Sequence, residues 1–148
     1  MNNTFSIETK RSNFSSLTFI FLSFLVSIIA TLGSLFFSEI MNFIPCSLCW
    51  YQRIFMYPLV FLFLVNLLYP DDKIFKYSFP LVIVGLLISI YHNLLIYKII
   101  PENLSPCVNG IPCSVDYLNY LGFITIPLLS FFAYTTILIL LILYRRKF

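Results

Sequence analysis

Apolar residues along this chain gather into four long stretches, each about 20 residues, which are separated and flanked by more polar segments that carry most of the charged residues. As α-helices these stretches would each be about 30 Å long, which matches the hydrocarbon core of a bilayer. The pattern therefore predicts an all-α membrane protein, a bundle of four transmembrane helices at Leu17–Phe37, Trp50–Tyr69, Phe79–Tyr97 and Ile124–Tyr144.

The segments between the stretches predict how the helices connect. Pro70–Lys73 has the composition of a tight turn, so the second and third helices are expected to be antiparallel neighbours. Met1–Ser16 shows no apolar period and is predicted to be a short mobile tail. Cys113–Gly122 has an N-cap serine, an apolar face and a terminal glycine, which favour a short helix lying on the membrane; an irregular loop is the alternative.

Composition supports a single integral membrane domain spanning residues 1–148. Hydrophobic residues make up 60% of the 148 positions and charged residues 10%, with a mean hydropathy of +0.95, far from the values of a soluble domain. The longest segment between the predicted spans, Lys98–Phe123, is too short to form a nucleotide-binding domain. This excludes a soluble NAD or FAD fold.

Basic residues predict the sidedness of the chain in the membrane. Seven of the nine fall on one side of the predicted bundle, and Arg53 and Lys98 fall on the other. By the positive-inside rule both termini are cytoplasmic. Both loops that carry cysteine then face outward, where disulfides persist. The seven are Lys10, Arg11, Lys73, Lys76, Arg145, Arg146 and Lys147.

Cys46 and Cys49 form a Cys-x-x-Cys pair at the start of the second apolar stretch. Closing so small a loop stabilises a protein by about 2 kcal/mol, against about 4.7 kcal/mol for a hundred-residue loop. Stability alone is therefore a weak reason for the pair, and we interpret it as redox-active. Cys49 is expected near the helix N-terminus with Arg53 one turn later, and both features favour a thiolate.

Polar residues inside the predicted spans indicate a binding site for the molecule that accepts electrons from this pair. Since no soluble cofactor fits the chain, a quinone dissolved in the lipid is the simplest two-electron acceptor. Arg53 and its neighbour Gln52 are predicted to bind it, although an arginine at this depth can also extend to the headgroups. His92, the single histidine, lies at a similar depth and is predicted to donate a hydrogen bond or proton to the quinone; a core histidine bonded to its neighbours is the alternative.

Cys107 and Cys113 make a second pair around a strong turn signal, Asn109-Gly110, so a disulfide between them is geometrically reasonable. The loop that this disulfide would close is again small, so the bond would stabilise the protein little. This favours two redox-active pairs that exchange electrons over two purely structural disulfides. Two alternatives stay open. All four cysteines could bind zinc, or the disulfides could be purely structural in a non-enzymatic membrane subunit.

The run Cys46-Ser47-Leu48-Cys49-Trp50-Tyr51-Gln52-Arg53, the four spans and the second cysteine pair resemble the DsbB family of disulfide bond formation proteins, most closely its BdbC type. This resemblance implies an enzyme of the bacterial cytoplasmic membrane that reoxidises an extracytoplasmic thioredoxin-like thiol oxidase. The electrons would pass to a quinone of the menaquinone or ubiquinone type.

The resemblance also implies roles for individual residues. Cys46 and Cys49 match the pair beside the quinone, with Cys49 in contact with it, and Arg53 matches the quinone-site arginine. Cys107 and Cys113 match the pair that takes electrons from the partner, with Cys107 forming the mixed disulfide. Members with a longer loop separate that second pair widely, whereas five residues intervene here, so the loop motion and order of exchange proposed for those members do not transfer directly.

A second redox hypothesis is a protein like vitamin K epoxide reductase, which also combines four helices, a Cys-x-x-Cys pair and a quinone. In that family the quinone-proximal pair lies late in the chain, whereas here Cys46 and Cys49 open the second span. We therefore place it behind the DsbB hypothesis.

Overall fold

A computed structural model of the chain describes residues 2–42, 46–71, 73–101 and 125–147. Four α-helices occupy these ranges: α1 Asn2–Glu39, α2 Ser47–Leu68, α3 Ile74–Ile96 and α4 Ile126–Lys147. Each contains a segment long and apolar enough to cross a membrane, namely Ser16–Glu39, Ser47–Leu68, Ile74–Ile96 and Ile126–Arg146. The predicted all-α bundle of four spans is confirmed.

The helices form a ring in which each packs most extensively against two others. α1 contacts α2 and α4, and α3 contacts the same two helices. The predicted packing of the second helix against the third is confirmed. Asn66 and Asp71 shape the turn between them: the Asn66 side-chain oxygen accepts the Asp71 N–H at 2.9 Å, and the Asp71 carboxylate accepts the Lys73 N–H at 3.0 Å.

Three predicted helix starts differ from the structure. Residues 2–16, predicted as a mobile tail, continue α1, because extending an existing helix avoids the cost of nucleation. α2 begins at Ser47 instead of Trp50, and α3 begins at Ile74 instead of Phe79. The hydropathy pattern marks the apolar stretch, whereas the helical backbone continues beyond it. The predicted surface helix at Cys113–Gly122 lies outside the described residues.

Burial in the bundle follows the pattern of a membrane protein. Large apolar side chains such as Ile29, Phe61 and Leu87 are at least 60% exposed, as expected where lipid covers them. Small hydroxyl side chains are fully buried between the helices, where they allow close approach of neighbouring backbones. These are Ser23, Ser27, Ser78 and Ser89.

Gly85 of α3 allows a fully buried tyrosine of α4 to lie directly against the α3 backbone. A Cβ atom at position 85 would overlap the ring of Tyr134. That ring position brings the Tyr134 hydroxyl to the carbonyl of Gln52 on α2, to which it donates a hydrogen bond of 2.7 Å. The contact ties α4 to the first turns of α2, where the cysteine pair lies.

Candidate active site at the start of α2

Cys46 and Cys49 stand one helical turn apart at the beginning of α2. Cys46 is the N-cap residue, with extended backbone angles, and its carbonyl accepts the Trp50 N–H at 3.2 Å. Cys49 follows in the first turn, so both sulfur atoms project from the same side and lie 3.2 Å apart, unbonded. The turn that disulfide formation requires is therefore present.

His92 of α3 covers the Cys46 sulfur. The side chain is 1% exposed, and its Nε2 lies 3.6 Å from the Cys46 Sγ. Leu48 and Leu95 pack beside this contact and keep it within apolar surroundings. The sequence indicated the depth of His92 but not its face, so its position on the cysteine pair was missed.

Cys46 is the thiol that the surroundings favour as a thiolate. A hydrogen bond from the Cys49 side chain lowers the pKa of Cys46 well below the ordinary thiol value; burial opposes this, and the His92 ring adds to the lowering. The sequence assigned the helix N-terminus to Cys49. In the structure Cys46 occupies the N-cap instead, because α2 begins three residues earlier than predicted.

Gln52 links His92 to α4. Its amide nitrogen lies 3.5 Å from His92 Nδ1, and its amide oxygen accepts a hydrogen bond of 3.0 Å from Ser130 Oγ. Gln52 is 6% exposed, so this amide is satisfied within the bundle rather than by water. Ser130 is a member of the site that the sequence did not indicate, because a serine inside an apolar span carries no periodic signal.

A second group of hydrogen bonds supports Ser130 from α3. The Ser89 and Ser130 hydroxyl oxygens lie 3.0 Å apart, and both are within reach of the Pro127 carbonyl, at 3.2 and 2.8 Å. The Asn93 side chain donates to the Ser89 and Pro127 carbonyls at 2.8 and 3.1 Å. Pro127 at the start of α4 is therefore bound to α3 by several donors.

Arg53 faces a different helix from Gln52. Its Nε donates to Ser34 Oγ and its Nη2 to the Ser34 carbonyl, both at 2.7 Å, and its guanidinium lies 5.6 Å from the Trp50 ring centre. At 8% exposure the side chain is enclosed by α1 and α2, which disfavours the headgroup alternative. The three predicted quinone residues are thus divided: Gln52 and His92 contact each other, while Arg53 lies against α1.

Cys46, Cys49 and His92 place their ligand atoms within 4.8 Å of one another, a spacing that could hold a thiophilic metal ion. Such an ion would need the lone pair of His92 Nε2. The Gln52 amide nitrogen faces Nδ1, an arrangement that instead favours a proton on Nε2. Cys107 and Cys113, the other predicted site residues, lie outside the described residues.

Comparison with known proteins gives a family match over most of the chain. The family model described as disulfide bond formation protein DsbB matches residues 16–144. Disulfide bond formation protein C of Bacillus subtilis (strain 168) is 47% identical over 133 residues, covering 88% of this chain and 95% of that protein. No solved structure matches the chain.

Two further relatives have similar names. A probable disulfide formation protein C 1 of Bacillus anthracis is 47% identical over 112 residues, which is 75% of this chain and 80% of that protein. A probable disulfide formation protein C of Halalkalibacterium halodurans is 40% identical over 125 residues, which is 84% of this chain and 91% of that protein.

Proposed function

We propose a function for this chain from the premise that it belongs to the DsbB family of disulfide bond formation proteins. Membership makes it a multi-pass membrane disulfide oxidoreductase that depends on a quinone. We propose further that it reoxidises an extracytoplasmic thioredoxin-like thiol oxidase and passes the electrons to the membrane quinone pool, of the menaquinone or ubiquinone type. Secreted proteins would then receive their disulfides from that partner.

The observation that carries this proposal is the 3.2 Å distance between the Cys46 and Cys49 sulfur atoms at the N-terminal end of α2. Starting from the dithiol, closing this bridge breaks two S–H bonds, forms one S–S bond and releases two electrons and two protons. The Cys46 thiolate is the proposed nucleophile: it would bond to the Cys49 sulfur while a bound quinone would accept the electron pair and both protons. His92, at 3.6 Å from Cys46, is placed to stabilise that thiolate.

We propose that Arg53 would hold the quinone, which accepts two electrons and two protons. A guanidinium carries five N–H donors, and among the described residues Ser34 accepts from two of its nitrogens. Donors therefore remain for a carbonyl oxygen. Trp50, Tyr51 and Ile54 on the exposed side of α2 offer an apolar approach from the lipid. Gln52 and His92 are proposed to orient the cysteine pair beside it.

We propose that Cys107 and Cys113 receive electrons from the partner. A partner thiolate would attack their disulfide at Cys107, and the released Cys113 thiolate would attack the Cys46–Cys49 disulfide. The partner's second thiolate would then displace Cys107 from the mixed disulfide, and the freed Cys107 would re-form its bond with Cys113, leaving Cys46 and Cys49 reduced, so one S–S bond forms for each one broken. The excess of basic residues on one side supports cytoplasmic termini and outward-facing cysteines. The whole chain, 1–148, is proposed to act as one membrane domain.

The test is reconstituted turnover. Purified protein is mixed with a reduced thioredoxin-like protein and a water-soluble quinone, and quinone absorbance is followed together with the thiol content of the partner. We expect one quinone to be reduced for each partner disulfide formed. Cys49→Ser should abolish the reaction, whereas Ser47→Ala, an exposed position within the same motif, should retain it. Equal rates for wild type and Cys49→Ser would refute the proposal.

A further inference from the structure

Ser130 has one hydroxyl proton and more than one acceptor for it. Its Oγ lies 3.0 Å from Gln52 Oε1 and 2.8 Å from the Pro127 carbonyl. The Pro127 carbonyl has other donors, the Asn93 amide at 3.1 Å and the Ser89 hydroxyl at 3.2 Å. The Gln52 side-chain oxygen Oε1, by contrast, has no other hydrogen-bond donor among the described residues. The Ser130 proton is therefore needed at Gln52 and is dispensable at Pro127.

The direction of this one bond decides how the Gln52 amide faces His92. When Ser130 donates to the amide oxygen, the amide nitrogen points toward His92 Nδ1, at 3.5 Å. Nδ1 then accepts, and the proton of the neutral ring resides on Nε2, facing Cys46. If the amide were reversed, its oxygen would accept from Nδ1–H, and Nε2 would present a lone pair to the sulfur instead.

We infer that Ser130 is a positioning residue for the cysteine pair: through the Gln52 amide it holds the neutral His92 ring as the tautomer that donates from Nε2 to the Cys46 sulfur. The bonds run in one direction, from Ser130 to Gln52, from Gln52 to His92, and from His92 to Cys46. This inference rests on the proposed function, because it assigns to α4 a share in stabilising the Cys46 thiolate.

His92 is the single histidine of the chain, which makes the ring directly observable. Reduced full-length protein carrying 15N-labelled histidine is purified in detergent, and its two ring nitrogens are assigned by NMR. We expect wild type to show a protonated Nε2 and an acceptor Nδ1. Ser130→Ala should shift the spectrum toward a mixture of tautomers, and Ser130→Thr, which keeps the hydroxyl, should restore the wild-type spectrum.

A second readout is the alkylation rate of Cys46 at a fixed pH below the ordinary thiol pKa. Loss of one supporting hydrogen bond should slow alkylation by up to about tenfold in Ser130→Ala. Ser27→Ala is the matched control, because Ser27 is buried on α1 and bonds the Phe24 carbonyl of its own helix. If Ser130→Ala does not fold, Gln52→Met removes the amide and should give the same two changes.

An unaltered tautomer and an unaltered alkylation rate in Ser130→Ala would overturn the inference, as would a wild-type ring protonated on Nδ1. Either result leaves the proposed function intact if the wild-type protein still reduces quinone. Failure of wild-type turnover would refute the proposed function without changing the histidine spectrum. The two failures are therefore distinguishable.

Discussion

At the scale of single residues, the site works by giving neighbouring polar side chains different partners. Gln52 and Arg53 are adjacent on α2, and successive residues of a helix point about 100° apart. Gln52 therefore reaches His92 and Ser130 on α3 and α4, whereas Arg53 reaches Ser34 on α1. In the proposed function, Gln52 orients the cysteine pair and Arg53 holds the quinone.

Cys46 should react as a thiolate at a pH where ordinary thiols are protonated. Its pKa is lowered in the folded protein, so the thiolate persists as the pH falls and disappears only below the lowered pKa. The measurement is the pH dependence of Cys46 alkylation in the reduced protein, resolved by mass spectrometry, with Cys107→Ser and Cys113→Ser to remove the second pair. A midpoint near the ordinary value of about 8.5 would contradict the assignment.

Arg53→Met should raise the apparent KM for quinone, because it removes the donors proposed to bind the carbonyl oxygen. It should also destabilise the fold by about 1.5–3 kcal/mol, the usual effect of losing hydrogen bonds to a charged group. Ser34→Ala is the control, since it removes one of the Arg53 contacts and keeps the charge. If both variants lower the unfolding temperature but neither changes KM, Arg53 holds α1 against α2 and does not bind the quinone.

At the scale of helices, the sequence indicated the existence of each span better than the direction its residues face. The Cys46 and Cys49 pairing follows from their spacing of three, which any helical turn brings together. The face of His92 did not follow, because α3 is apolar on all sides and its pattern singles out no face. Ser89 and Ser130 were missed because their role depends on which faces of α3 and α4 meet, and the apolar pattern does not show this. In the structure both hydroxyls lie within reach of the Pro127 carbonyl.

Gly85→Ala tests the contact that sets the distance between α3 and α4. The added methyl group would overlap the Tyr134 ring, and overpacking of this kind costs about 1–3 kcal/mol. We expect a lower unfolding temperature in detergent and slower turnover, because Tyr134 also bonds the Gln52 carbonyl.

Gly33→Ala is the matched control for this change. Position 33 of α1 has nothing within 4 Å of a built Cβ atom, and alanine favours a helix over glycine by about 0.5–1 kcal/mol. Gly33→Ala should therefore be neutral or stabilising. Equal stability of the two alanine variants would show that the Tyr134 contact does not limit the packing of α3 against α4.

At the scale of the whole molecule, the reactive and polar side chains lie at the helix ends and inside the bundle. The surface offered to lipid is apolar, and a connected set of polar side chains, Gln52, His92, Ser89 and Ser130, lies where α2, α3 and α4 meet near Cys46. The span count and the family resemblance could be predicted from the sequence, and both are confirmed. Sidedness stays a prediction, because it rests on the distribution of Lys and Arg alone.

Sidedness can be tested with two single-cysteine reporters in a cysteine-free background. Ile99→Cys and Lys73→Cys place one exposed thiol beyond the end of α3 and one in the turn before its start. A membrane-impermeant maleimide added to intact cells should label Ile99→Cys and spare Lys73→Cys, while disrupted cells should label both. Labelling of Lys73→Cys alone in intact cells would place the cysteine pair on the cytoplasmic side.

The central claim is that the Cys46–Cys49 pair delivers its electrons directly to a quinone. The most direct measurement is a single turnover of fully reduced protein carrying Cys107→Ser and Cys113→Ser, mixed with a soluble quinone. We predict that one quinone is reduced per protein as the Cys46–Cys49 disulfide appears by mass spectrometry. A dithiol that stays reduced in the presence of excess quinone would contradict the account.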